Sequence, residues 1–202
     1  MPRRYWVIVI ATIIGAAAFA GPFVLAWGDS LVEQWHNAAR FTARADFPIF
    51  ILTYSASSLA RLWPNPWTRA LRQDRRQWGI AFAIAHTIHL AAFAGYIIVS
   101  GTAGEFVDPI VLGVAAPGYV VMYAMLATSN AASMKAMGKN WKRLHTFGIH
   151  LLWLNFAGSY AQKFFRLDGE PIGASYVYFP LCMLALGLRV VVWMRSNQRR
   201  AA

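Results

Sequence analysis

Six long apolar blocks constrain the fold of this 202-residue sequence more than any other feature. Hydrophobic residues make up 58% of the chain and charged residues only 13%, which gives a mean hydropathy of +0.41. A helix needs roughly 20 mostly apolar residues to cross a bilayer. The sequence therefore predicts an all-α bundle of six transmembrane helices that forms a single domain over residues 1–202. The predicted spans are 5–27, 47–62, 78–100, 109–131, 144–164 and 173–194.

The basic residues predict the orientation of these spans. Of the 19 Lys and Arg residues, only Arg40, Arg44, Lys163 and Arg166 fall in the segments predicted to lie outside, and Asp74 is the single acid predicted to lie inside. Because positive charge accumulates on the cytoplasmic side, we expect both termini in the cytoplasm and a multi-pass protein of the bacterial inner membrane. Membrane topology and lipid contact then account for the net charge of +11, so no nucleic-acid partner is expected.

Three segments need separate interpretation. The N-terminal run with its small residues 15–20 is similar to a signal peptide, but its continuation to Trp27 favours an uncleaved first helix. Residues 28–46 mix apolar and charged side chains and predict a short amphipathic helix on the outer surface. This segment contains His36, which we expect to be solvated. The single Cys182 lies in the last span and is predicted to be a packed thiol.

Histidines occur in pairs on two of the predicted spans. His86 and His89 lie on the third span, and His145 and His150 lie on the fifth. Ionisable side chains are costly in membrane helices and usually face a bundle interior, a pathway or a cofactor. Imidazole is also a common axial ligand of haem iron. A membrane protein that carries electrons through haem is therefore the leading hypothesis.

The spacing of these histidines leaves the ligand pair open. His86 and His89 share one helix face, whereas His145 and His150 point roughly 140° apart. Counted from the interfacial residues Trp78 and Trp141 at about 1.5 Å per residue, His150 is level with His86 and His89, and His145 is shallower. On this measure His150 pairs with a histidine of the third span.

Two functions without haem remain as alternatives. Histidines in membrane helices also hydrogen-bond neighbouring helices and hold them together, as in a non-catalytic membrane subunit or assembly factor. A small transporter with a histidine proton relay is the other alternative. Such relays commonly include acidic residues, and the predicted spans contain no Asp or Glu beside the histidines. This absence counts against a transporter.

Two motifs resemble those of the ferric reductase-like transmembrane domain superfamily, near its small MsrQ/YedZ-type haem-binding membrane subunits. The first is Arg75-Arg76-Gln77-Trp78-Gly79 with His89 thirteen residues after Arg76, and the second is Lys139-Asn140-Trp141-Lys142-Arg143-Leu144-His145. Length, six spans and cytoplasmic termini agree with the family, so the resemblance covers nearly the whole chain.

The resemblance implies one haem b whose iron ligands are His89 and His145. Electrons would arrive from quinol or a cytoplasmic flavoprotein, since the chain has no flavin domain, and would leave to an acceptor on the periplasmic side. The family usually has a second histidine about thirteen residues after the first in the fifth span, where this chain has Gly158 and Ser159. The family register also places His89 opposite Gly158. His86 and His150 therefore remain alternative ligands, and a haem-free member of the family remains an alternative function.

Overall fold

The computed structural model describes residues 5–102, 104, 109–166 and 173–201, which are almost entirely helical. The all-α prediction is confirmed. The helices are α1 (Trp6–Val24), α2 (Leu31–Leu62), α3 (Pro66–Gln73), α4 (Arg75–Ser100), α5 (Pro109–Ala127), α6 (Ala131–Met137), α7 (Lys139–Phe164) and α8 (Ser175–Ala201). Polar side chains cap three of the helix starts, because the first N–H groups of a helix have no partner within it. The capping residues are Ser30, Asn65 and Asn130.

Helix α2 is the central helix of the bundle. It packs most extensively on α4 and also contacts α1, α3 and α8. Phe47, Phe50 and Tyr54 are completely buried along its length. With 32 residues it is about 48 Å long, which exceeds the roughly 30 Å of a bilayer hydrocarbon core. Helix α2 is therefore longer than a single span requires.

The structure corrects the predicted surface helix at 28–46. Residues from Leu31 onwards belong to the same continuous helix as the predicted span 47–62. Ala38, Ala39 and Thr42 are buried, with 0%, 6% and 1% of their surface exposed. The sequence of this segment has the pattern of an amphipathic surface helix because its buried face consists of small and weakly polar residues. Such residues let helix backbones approach closely in membrane proteins.

A proline explains how α8 is attached to α2. Pro48 lies inside α2 and has no N–H, so the carbonyl of Arg44 loses its helical partner. The hydroxyl of Tyr178 on α8 donates a hydrogen bond to this carbonyl, at 3.2 Å. Neighbouring helices commonly satisfy backbone groups freed by proline in membrane helices. The ring of Tyr178 also stacks on Phe47, with 4.4 Å between the centroids.

Glycines allow close packing at two helix pairs. Gly95 of α4 lies against the ring of Trp35 on α2, which occupies the space that a Cβ atom would need. Gly118 of α5 lies in the same way against the side-chain amide of Asn155 on α7. Small residues at such crossings are typical of membrane bundles. Cys182 on α8 is fully buried, as predicted.

Among the described residues, three helices are long and apolar enough to cross a membrane: α1, α4 and the part of α8 between Ser175 and Gln198. Helix α5 contains a shorter apolar stretch, Ala115–Ala127. Large apolar side chains such as Ile98 and Ile13 are 76% and 62% exposed on the outside of the bundle. Extended apolar surface of this kind needs an apolar environment, so the structure supports a membrane protein.

Candidate functional site

A carboxylate and an imidazole meet near the middle of the bundle. Asp46 is completely buried and lies about 22 Å along α2, close to its midpoint. Its Oδ2 atom is 2.5 Å from Nδ1 of His86, which lies on the facing helix α4. The imidazole N–H donates in this hydrogen bond, since a carboxylate oxygen accepts. Sequence reasoning missed Asp46, because it placed this residue in the outer surface segment.

The surroundings of the Asp46–His86 pair are apolar. The ring of His86 stacks on Tyr119 and Phe82, with 4.9 and 5.1 Å between ring centroids, and lies 5.5 Å from Phe156. Within the described part of the chain, the second carboxylate oxygen of Asp46, Oδ1, is buried without a hydrogen-bond partner. Burying an unpaired carboxylate oxygen is costly. This atom is therefore a place for a proton or for a polar group of a ligand.

His89 continues the polar contact between α4 and α2. Its Nδ1 atom lies 3.1 Å from the carbonyl oxygen of Ala39 and 3.1 Å from Oγ1 of Thr42. A carbonyl only accepts, so the ring proton is assigned to Nδ1 and the lone pair to Nε2. The rings of His86 and His89 are 5.3 Å apart. In both residues, Nε2 makes no hydrogen bond to any described residue.

His150 belongs to a separate cluster with Tyr54 and Arg189. Its Nδ1 atom is 3.1 Å from the hydroxyl of Tyr54, and its Nε2 atom is 3.3 Å from the guanidinium of Arg189. That guanidinium also donates to the carbonyl of Tyr54, at 2.9 and 3.2 Å, and lies 4.0 Å from the centre of the Tyr54 ring. Since a guanidinium only donates, Nε2 of His150 is the acceptor. Both nitrogens of this imidazole are therefore engaged.

His145 and His36 lie away from both clusters. Nε2 of His145 is 3.2 Å from Oγ1 of Thr128, at the end of α5, and its ring stacks on Trp141 with 4.1 Å between the centroids. Trp141 donates from Nε1 to the carbonyl of Thr128, at 2.9 Å. These contacts hold the start of α7 against α5. His36 is exposed on α2 and its ring lies tilted against that of Tyr96, with centroids 5.0 Å apart.

The prediction that His150 lies level with His86 and His89, which rests on distances counted from Trp78 and Trp141, is wrong. The contact between His86 and Phe156 places His86 level with residue 156 of α7, and His150 lies six residues earlier, about 9 Å away along the helix. Trp78 and Trp141 therefore do not lie at equal depth, which is the condition that the prediction needs.

The structure therefore joins two of the four predicted site histidines and separates the others. His86 and His89 share one polar cluster with Asp46, whereas His145 and His150 have different partners. Within the described ranges, no group of three or more His, Cys, Asp or Glu side chains has a geometry suited to a metal ion. Asp46 could have been found from the spacing of Ala39, Thr42 and Asp46, which places small and polar residues on one helix face.

No protein-family model matches the chain, and no solved structure matches it.

Proposed function

We propose that this chain is a six-span protein of the bacterial inner membrane, with both termini in the cytoplasm, that binds haem b on α4 and carries electrons across the membrane. The observation that supports this function is the Asp46–His86 pair in the middle of the bundle. The resemblance to ferric reductase-like domains favours the same chemistry. We expect quinol or a separate cytoplasmic flavoprotein to donate the electrons, and an acceptor on the periplasmic side to receive them.

The donor atoms of His86 fit a haem ligand. A histidine that binds a metal almost always donates its other ring N–H to a carboxylate, a carbonyl or water, which fixes the ring orientation. His86 bonds Asp46 through Nδ1 and has Nε2 available. Phe82, Tyr119 and Phe156 would supply the apolar wall of a haem pocket. Haem supplies one-electron transfer, and the protein would supply the axial ligand and a low-dielectric setting.

The other histidines differ in how well they fit the role of a haem ligand. His89 has the same pattern as His86, with Nδ1 on a carbonyl. The two project from one helix face, so they cannot occupy opposite faces of the same macrocycle. His150 fits poorly because the cationic guanidinium of Arg189 lies at its Nε2. His145 fits poorly because its Nε2 bonds Thr128 at the end of the bundle. We therefore rank His86 first and His89 second.

Absorption spectroscopy tests this function. The detergent-purified protein, produced in cells with ample haem, should give a b-type difference spectrum after dithionite reduction and close to one haem per chain in a pyridine haemochrome assay. His86→Phe should remove the haem, whereas the matched variant His150→Phe should retain it. Asp46→Asn should retain the haem and change its reduction potential, because Asp46 acts through His86. A featureless spectrum of the parent protein would rule the function out.

A proton relay is the second candidate function. The sequence counts against a relay because the predicted spans contain no acid beside the histidines, but the structure corrects this expectation, since Asp46 is buried next to His86. Its unpaired Oδ1 supports a role in binding protons, as intramembrane carboxylates commonly have. Proteoliposomes with an internal pH dye would show a proton flux that Asp46→Asn abolishes. If neither haem nor flux is found, a non-catalytic membrane subunit becomes the preferred function.

A further inference from the structure

A basic cleft lies beside the first turns of α7. It has a volume of about 580 Å³ and is open on one side. The residues that line it recur every three or four positions, so they share one helix face. They are Lys139, Lys142, Arg143, Thr146, Phe147 and His150. The surface that lines the cleft is almost entirely apolar and includes Phe147, which is 61% exposed, so the basic residues contribute mainly their methylene groups to it and carry their charges on the same helix face.

The basic side chains of this cleft form no ion pair with any described acidic residue. Among the residues that the structure describes, no carboxylate lies within 4 Å of Lys142, Arg143 or Arg189. Arg189 bonds His150, which is one of the lining residues. Among the described residues, its other partners are the carbonyl and the ring of Tyr54. An anion at this helix face would therefore meet cations that have no ion-pair partner among the described residues.

We propose that this cleft binds the phosphate headgroup of an anionic phospholipid. The lysines, the arginine and the Thr146 hydroxyl are donors suited to phosphate oxygens, and Phe147 offers an apolar surface to an acyl chain. The open side of the cleft suits a molecule that extends into the bilayer. Basic pockets at the cytoplasmic ends of membrane helices are a recurring mode of anionic lipid recognition. Binding at this cleft needs the proposed membrane topology but not haem.

Native mass spectrometry of the full-length protein in detergent tests this site. Phosphatidylglycerol should remain bound at about one molecule per chain and raise the thermal midpoint, whereas phosphatidylcholine should do neither. The double variant with Lys142→Gln and Arg143→Gln should bind the lipid about 25-fold more weakly, since each cation near a membrane contributes roughly fivefold. Lys135→Gln removes the same type of charge from α6, outside the cleft, and should leave binding unchanged.

Two further arms identify the source of the phosphate. Inorganic phosphate at millimolar concentration should not raise the thermal midpoint, and Phe147→Ala should weaken lipid binding because the acyl chain loses its contact. Equal binding of phosphatidylcholine would overturn the site, and so would an equal loss in the Lys135→Gln control, which would indicate diffuse surface attraction. Stabilisation by inorganic phosphate as strong as that by lipid would assign the cleft to a free anion instead. Thr146→Val keeps all charges and should weaken binding only slightly.

Discussion

The pairing of Asp46 with His86 makes a quantitative prediction about stability. Asp46→Ala removes the hydrogen-bond acceptor of the His86 Nδ1 atom and leaves that group without a partner on a side chain that is only 13% exposed. Removing one member of a buried charge pair typically costs about 3–5 kcal/mol of unfolding free energy. Because Asp46 is fully buried in the middle of α2, solvent cannot compensate, and we expect a cost in this range.

Asp46→Asn should cost much less. An asparagine places an oxygen acceptor at nearly the same position, so the contact at 2.5 Å is replaced by a neutral hydrogen bond. Hydrogen bonds to charged groups contribute about 1.5–3 kcal/mol and neutral ones about 0.5–1.5 kcal/mol. The expected cost is the difference, about 1 kcal/mol. The exposed Asp29 provides a matched control, since Asp29→Asn should change the unfolding free energy by less than about 0.5 kcal/mol.

The double variant separates the pair from its two members. Asp46→Leu combined with His86→Phe fills the site with apolar side chains, and the new ring would meet Phe82 and Tyr119 as the imidazole does. Replacing both partners of a buried pair in this way is often neutral. The summed costs of the single variants Asp46→Leu and His86→Phe should therefore exceed the cost of the double variant by at least about 2 kcal/mol.

Reversible unfolding in mixed micelles, followed by far-UV circular dichroism, measures all of these variants. Equal costs of Asp46→Ala and Asp46→Asn would contradict a hydrogen bond between Asp46 and His86, because that bond predicts a clear difference between the two variants. A double variant whose cost equals the sum of the two single-variant costs would also contradict it, since additivity indicates that two residues do not interact.

The remaining predictions concern helix packing and can be measured by the same unfolding assay. Gly95→Ala should cost about 1–3 kcal/mol, because the new methyl group would overlap the ring of Trp35 and force overpacking. Gly158→Ala is the matched control, since nothing lies within 4 Å of its added Cβ, and it should be neutral or stabilising by up to about 1 kcal/mol. Tyr178→Phe should cost about 1 kcal/mol through the loss of its hydrogen bond to α2. Tyr176→Phe, at a position that is 61% exposed, should have little effect.

The class of the fold was predictable because it depends on local properties. Apolar blocks of about the right length identify helices, and each of the six predicted spans coincides with all or most of one helix or with part of α2. The burial of Cys182 follows from its position within such a block. The basic residues at the start of α7 were also visible in the sequence, whereas the cleft beside them was not.

The candidate site was only partly predictable. His86 and His89 were selected because imidazoles are unusual in an apolar helix and share one face. Asp46 was missed because the residues around it are polar enough to suggest a surface helix, and only contacts with α4 and α1 show that this segment is enclosed. The same applies to Arg189, whose partners Tyr54 and His150 lie on two other helices.

The sequence by itself determined that this chain is a bundle of apolar helices with histidines on two of them, because hydrophobicity and helical periodicity act between near neighbours. Only the tertiary structure decided which histidines share a site. The relative depth of α4 and α7 depends on where each helix starts and on side-chain contacts between them such as that of His86 with Phe156. These contacts join residues far apart in the chain, so no local pattern records that His86 meets Asp46 and that His150 meets Arg189.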